Sequence, residues 1–169
     1  MNKTSLMISW LGGALLLGSQ AMLGSAYAGP GNHDHSPHHH ADERAFGQPG
    51  DPQKPARTIS IIMKEGDGTM AFVPNLIEVK KGEQIRFKLR NNGALEHEIV
   101  VATREENLAH AKEMAKNPGM EHDDPNARRL NPAEEGEILW RFTKAGRFDM
   151  SCLIPGHLEA GMTGTIIVK

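Results

Sequence analysis

The chain has one cysteine, one tyrosine and two tryptophans among its 169 residues, and aromatic side chains make up only 5% of it. A single cysteine excludes an internal disulfide. Cys152 therefore pairs with another chain, stays a free thiol or binds something. A large excess of charge of either sign is also missing. Nineteen Lys and Arg face 21 Asp and Glu, a formal net charge of −2, so neither nucleic acid nor an anionic membrane is an obvious partner. No internal repeat and no Gly-rich phosphate loop occurs.

The one long apolar stretch lies at the start. Lys3 is the only charged side chain before Asp34, an apolar run extends over residues 6–23, and Ala26-Tyr27-Ala28 follows as a small-x-small cleavage pattern. These features predict a secretory signal peptide over residues 1–28, removed on export, rather than a membrane anchor. The mature chain then carries no membrane span, and losing Lys3 takes the net charge from −2 to −3. Export to the periplasm makes the lone thiol a liability unless a metal occupies it. Residues 29–56 are rich in Gly, Pro, His and Asp and nearly devoid of apolar side chains. The composition predicts a flexible tail that cannot offset its own chain entropy.

From residue 57 the pattern becomes short strands broken by turns. Residues 84–90 alternate, with Ile85, Phe87 and Leu89 on one face and Arg86, Lys88 and Arg90 on the other. Further strands are expected over 58–64, 76–80, 97–102, 138–142, 147–152 and 163–169. Gly66-Asp67-Gly68, Lys81-Gly82, Asn91-Asn92-Gly93 and Lys144-Ala145-Gly146 supply turns. One helix is predicted over 104–116, with Thr103 as N-cap and Glu106 completing a capping box. Residues 120–132 read as a loop, so 104–132 forms a helical insertion. About seven strands at this spacing predict an all-β, Greek-key sandwich or barrel over residues 57–169.

The chemistry concentrates near the C-terminus, in Cys152-Leu-Ile-Pro-Gly-His157-Leu-Glu-Ala-Gly-Met162. A thiolate, an imidazole and a thioether fall in the turn between the last two strands. Thiolate and thioether are soft ligands, and two His, one Cys and a weak axial Met make the trigonal site of electron-transfer copper. Zinc competes for Cys and His but gains little from Met162. The ligand count needs one more imidazole, and His97, at the start of a strand, is the candidate.

From Phe72-Val-Pro-Asn-Leu-Ile-Glu-Val-Lys-Lys-Gly-Glu through Asn92-Gly93, His97-Glu98 and the Cys-x4-His-x4-Met loop, the chain resembles the cupredoxins, the blue copper proteins. The resemblance covers residues 57–169, and the loop spacing is similar to that of rusticyanin- and auracyanin-like members. It implies type 1 copper held by His97 and His157 through nitrogen, Cys152 through sulfur and Met162 axially. Many members carry Asn or Ser after the first histidine, where it steadies the cysteine loop. Here that residue is Glu98, a difference that bears on reduction potential.

Other potential copper ligands lie outside this set. The tail holds His33, His35, His38, His39 and His40, and short His-rich tracts bind metal; a solvated spacer is the competing reading. The insertion holds His110, Met114, Met120 and His122. Met and His together favour Cu(I), while Met114 is equally explained as packing the helix. A His-rich stretch joined to such a domain resembles the periplasmic copper-tolerance cupredoxins of the CopI type. The expected function is periplasmic copper homeostasis: sequestration, relay or oxidation of Cu(I). Its partners are copper ions and periplasmic redox or copper-transport proteins. The alternative is a mobile electron carrier docking through Leu153, Ile154, Pro155 and Leu158 around His157. Classical enzymatic turnover is not expected: no His adjoins Cys152 and no second cysteine is present.

Overall fold

The computed structural model describes residues 44–117 and 124–169; the apolar leader, His33 to His40, Met120 and His122 lie outside them. Among the described residues ten strands form two five-stranded sheets. In the first the order is β1 (Gln48–Pro49), β8 (Glu135–Arg141), β5 (Gln84–Asn91), β2 (Arg57–Gly66), β3 (Thr69–Val73). In the second it is β4 (Leu76–Val79), β10 (Thr163–Val168), β9 (Gly146–Ser151), β6 (His97–Ala102), β7 (Ala127–Leu130). The β2–β5 and β4–β10 pairs are parallel and the others antiparallel. Inward-facing Ile61, Met63, Ile85, Phe87, Ile99, Val101, Trp140, Met150 and Ile166 form one core between the sheets. No helix among the described residues is long and apolar enough to cross a membrane.

Register explains how distant residues meet. In the antiparallel β6–β9 pair Val100 lies opposite Ser151, and in β9–β10 Ser151 lies opposite Thr163. The start of β6, the end of β9 and the start of β10 therefore share one end of the sandwich. His97, Cys152 and Met162 are the residues at those three ends.

Helix α1 (Arg104–Lys116) forms over the span the sequence predicts. The Thr103 hydroxyl accepts from Glu106 N–H at 3.2 Å, and the Glu106 carboxylate accepts from Thr103 N–H at 2.9 Å. Thr103→Ala removes this cap, and a loss of about 1 kcal/mol is expected in chemical denaturation. The helix covers the outer face of the second sheet, where Met114 packs on Val100 and Leu153. This cover is why β6 is buried at all six positions instead of alternating.

Two expectations need correction. The tail ends earlier than residue 56: Phe46 is fully buried and stacks on Trp140 with ring centroids 5.1 Å apart. Gln48 and Pro49 pair with Arg141 and Trp140, and Gly50 N–H donates to Leu139. One buried aromatic anchors a segment whose composition otherwise reads as unstructured. Within the expected loop at 120–132, residues 127–130 instead form β7, an edge strand on β6.

Candidate metal centre

Two backbone devices bring the donors together. The loop after β9 closes on itself: Met162 N–H donates to His157 O, and Cys152 N–H donates to Met162 O, both at 3.0 Å. His157 N–H donates to Ile154 O, and the bends at Gly156 (φ +89°) and Gly161 (φ +97°) occupy the left-handed region that favours glycine. The turn before β6 is fastened by Asn91, which is fully buried. Its amide donates to the carbonyls of Leu95 and Leu130, and its oxygen accepts from Gly93 N–H.

At the meeting point one ligand atom each from His97, Cys152 and His157 lies within 4.8 Å of the others. His97 Nδ1 is 3.2 Å from His157 Nδ1, and Cys152 Sγ is 3.4 Å from that same nitrogen. Three donors around one first-row ion, at about 2.0–2.1 Å for nitrogen and about 2.3 Å for sulfur, stand slightly farther apart than this. The trio thus fits a single metal ion with a small outward movement. Met162 is fully buried in the adjoining core. His97 and Cys152 are also fully buried, whereas the His157 ring is partly exposed.

Burial sets the electrostatics. It pushes the Cys152 thiol up to about 12, against the opposing pull of N–H groups of Glu98 and Ile154 on the sulfur. Burial, and then the neighbouring His97, push His157 below the usual imidazole value, which favours its neutral, ligating form. Metal binding at Sγ must therefore displace a proton. Over pH 7.5–9 the apoprotein holds that proton, so copper affinity is expected to rise about tenfold per pH unit and to fall equally on acidification. Competition titrations at several pH values read this slope; a flat profile refutes thiolate ligation.

Two acidic residues flank the trio: Glu98, which the sequence singles out, and Glu65, which it does not. Glu98 takes on the loop-steadying task associated with Asn or Ser. Its N–H donates to Cys152 Sγ at 3.4 Å, and its carboxylate accepts from Leu153 N–H at 3.2 Å. It is only 4% exposed and pairs with Arg129 at 3.3 Å across the β6–β7 ladder. Glu65, at the end of β2 in the other sheet, reaches His97 Nε2 at 2.8 Å. That bond and the N–H groups of Ala94 and Leu95 hold its carboxyl below the usual range, against the opposing effect of burial. A Glu ending a strand gives no sequence signal of such a role.

Of the remaining candidates, His110 and Met114 lie among the described residues. His110 is half-buried on α1, and Met114, four residues on, is fully buried as packing. Of the apolar residues expected around His157, Leu153 is buried beneath α1, so it does not belong to an exposed patch. Pro155 is exposed, and Ile154 and Leu158 are half-buried.

Comparison with known proteins agrees with this arrangement. The chain is 45% identical to the copper-resistant cuproprotein CopI of Rubrivivax gelatinosus, over 86% of this chain and 82% of that protein. It is 34% identical to the protein of the same name from Pseudomonas aeruginosa, over 76% and 85% of the two chains. The solved auracyanin of Roseiflexus castenholzii is 25% identical with a TM-score of 0.56, covering 69% of this chain and 99% of that one. Residues 59–169 match the family model of copper binding proteins of the plastocyanin/azurin type. With two β-sheets converging His, Cys and His at one end and two-thirds of its length matched, the chain belongs to the plastocyanin/azurin family of copper binding proteins, the cupredoxins.

Proposed function

We propose that the protein holds one copper ion between His97, Cys152, His157 and Met162 and serves copper tolerance in the periplasm. The observation that carries the site is the convergence of a buried thiol with two imidazole nitrogens within 4.8 Å. The biological role is supported by 45% identity to a copper-resistant cuproprotein over most of both chains. A bound copper ion supplies a one-electron couple and a sink for Cu(I). The protein's own part is to keep Sγ and both Nδ1 atoms aimed at one point and to exclude water with the buried His97 and Met162. The hydrogen bonds that close the 152–162 loop would keep Cys152, His157 and Met162 in place through a change of oxidation state. The His tract and the His110, Met120 and His122 side chains of the insertion are the sequence features in favour of copper collection, and no catalytic turnover is assigned.

Deleting the gene and comparing growth on copper with and without air tests the role. Lost tolerance is expected, with restoration by the intact gene. Unchanged tolerance in both conditions overturns it. The alternative, a mobile electron carrier, draws on the partly exposed His157 ring beside exposed Pro155. Fast electron exchange with a periplasmic redox protein, in cells whose copper tolerance does not depend on this chain, favours that reading instead.

A further inference from the structure

The imidazole of His97 is fully buried and bonded at both nitrogens: Nδ1 faces His157, and Nε2 faces the Glu65 carboxylate at 2.8 Å. The carboxylate is itself fixed. Its other oxygen accepts the N–H groups of Ala94 and Leu95, the latter at 2.9 Å, in the turn leading into β6. The parallel β2–β5 pairing sets Met63 beside Asn91, and Asn92 N–H donates to Met63 O, which brings the end of β2 against that turn. Gly93 completes the seat: a Cβ there would stand 1.8 Å from Glu65 Oε2. Its backbone is not in the left-handed region, so this glycine is explained by the space the carboxylate fills.

We propose that Glu65 is a positioning residue for the copper site: it holds His97 in the tautomer that offers its Nδ1 lone pair to the metal, and its negative charge favours Cu(II) over Cu(I). An ionised carboxylate only accepts hydrogen bonds, so the proton of neutral His97 lies on Nε2, leaving Nδ1 free on the side of Cys152 and His157. A carboxylate behind a ligating imidazole raises its donor strength, and removing such a partner typically weakens metal binding 10–100-fold. Glu65 spans from the first sheet to a ligand of the second, so it also ties the site to both layers. The inference rests on the four-donor reading above and adds to it a determinant of redox preference.

The test compares copper-loaded full-length protein with Glu65→Gln, Glu65→Ala and Gly93→Ala variants. The measurements are Cu(II) and Cu(I) affinity by chelator competition, reduction potential, visible absorption and apoprotein melting. For Glu65→Ala, Cu(II) affinity is expected to fall about 10–100-fold with little change for Cu(I). The potential then rises by about 59 mV per tenfold difference. Glu65→Gln removes the charge and sets its NH2 group either against the Ala94 and Leu95 N–H groups or against His97 Nε2, so it shifts Cu(II) affinity and potential in the same direction as Glu65→Ala. Gly93→Ala, which displaces the carboxylate, shifts the potential in the same direction. Unchanged potentials and affinities in Glu65→Ala and Glu65→Gln, with the thiolate band intact, overturn the role of Glu65 alone. Equal losses of Cu(II) and Cu(I) affinity, tracking the loss of apoprotein stability, also overturn it. Absence of a thiolate band in the unmodified protein overturns the donor set itself, a distinct result.

Discussion

Cys152→Ser is expected to abolish the strong visible absorption of the copper-loaded protein and its tight hold on the metal, while the fold survives. Sulfur is the only soft anionic donor at the site, and its charge transfer to copper is the source of the colour. Loss of an outer partner alone weakens a metal 10–100-fold, so loss of the thiolate itself weakens copper by more than about 100-fold. The fold has little reason to follow. The Sγ position is fully buried and receives the Glu98 N–H, which a serine oxygen accepts equally well. The apoprotein's stability is expected to change by only about 1 kcal/mol. Dialysis against a chelator, visible and paramagnetic resonance spectra, and apoprotein melting together read the result. Unaltered spectrum and metal retention in Cys152→Ser would end the four-donor account.

The convergence of His97, Cys152 and His157 was legible because Cys152 and His157 lie five residues apart in one short loop, with Met162 close behind. His97 followed from counting ligands, and the β6–β9 and β9–β10 registers supply the physical reason it arrives there. The helix was equally legible, since its capping box is a local code. What escaped was made by contacts between sheets or by single residues in misleading company. Glu65 lies 32 positions before His97 and in the opposite sheet, where no spacing rule connects them. Phe46 is one aromatic in a Gly- and Pro-rich stretch, yet its stacking on Trp140 orders that segment. Strand β7 carries Arg128 and Arg129 and lies close to two prolines, so its composition reads as loop although β6 offers it a ladder. Leu153 reads as a docking residue because the loop is at the surface; α1, folded over that face, turns it into core.

Glu98 departs from the family habit in charge, and its partner is where that departure shows most in stability. The Glu98 side chain is 6% exposed and that of Arg129 24%, with nitrogen and oxygen 3.3 Å apart. Replacing both with apolar or neutral groups is often harmless, whereas removing one partner leaves a buried uncompensated charge, at about 3–5 kcal/mol. Arg129→Met is therefore expected to destabilise the apoprotein by roughly 3 kcal/mol, the low end because Arg129 keeps contact with water, lowering Tm by about 10 °C. Adding Glu98→Gln should return most of that loss, since the amide oxygen still accepts the Leu153 N–H while the charge is gone. The rescue separates a charge effect from lost packing of the arginine stem, which the second substitution does not restore. Leu153 adjoins Cys152 and packs under the helix, so strain at Glu98 reaches the ligand loop from both sides. The single variant should then lose copper faster than the double. A Tm within about 2 °C of the unmodified protein for Arg129→Met would show that the pair leaves the buried carboxylate's stability unaffected.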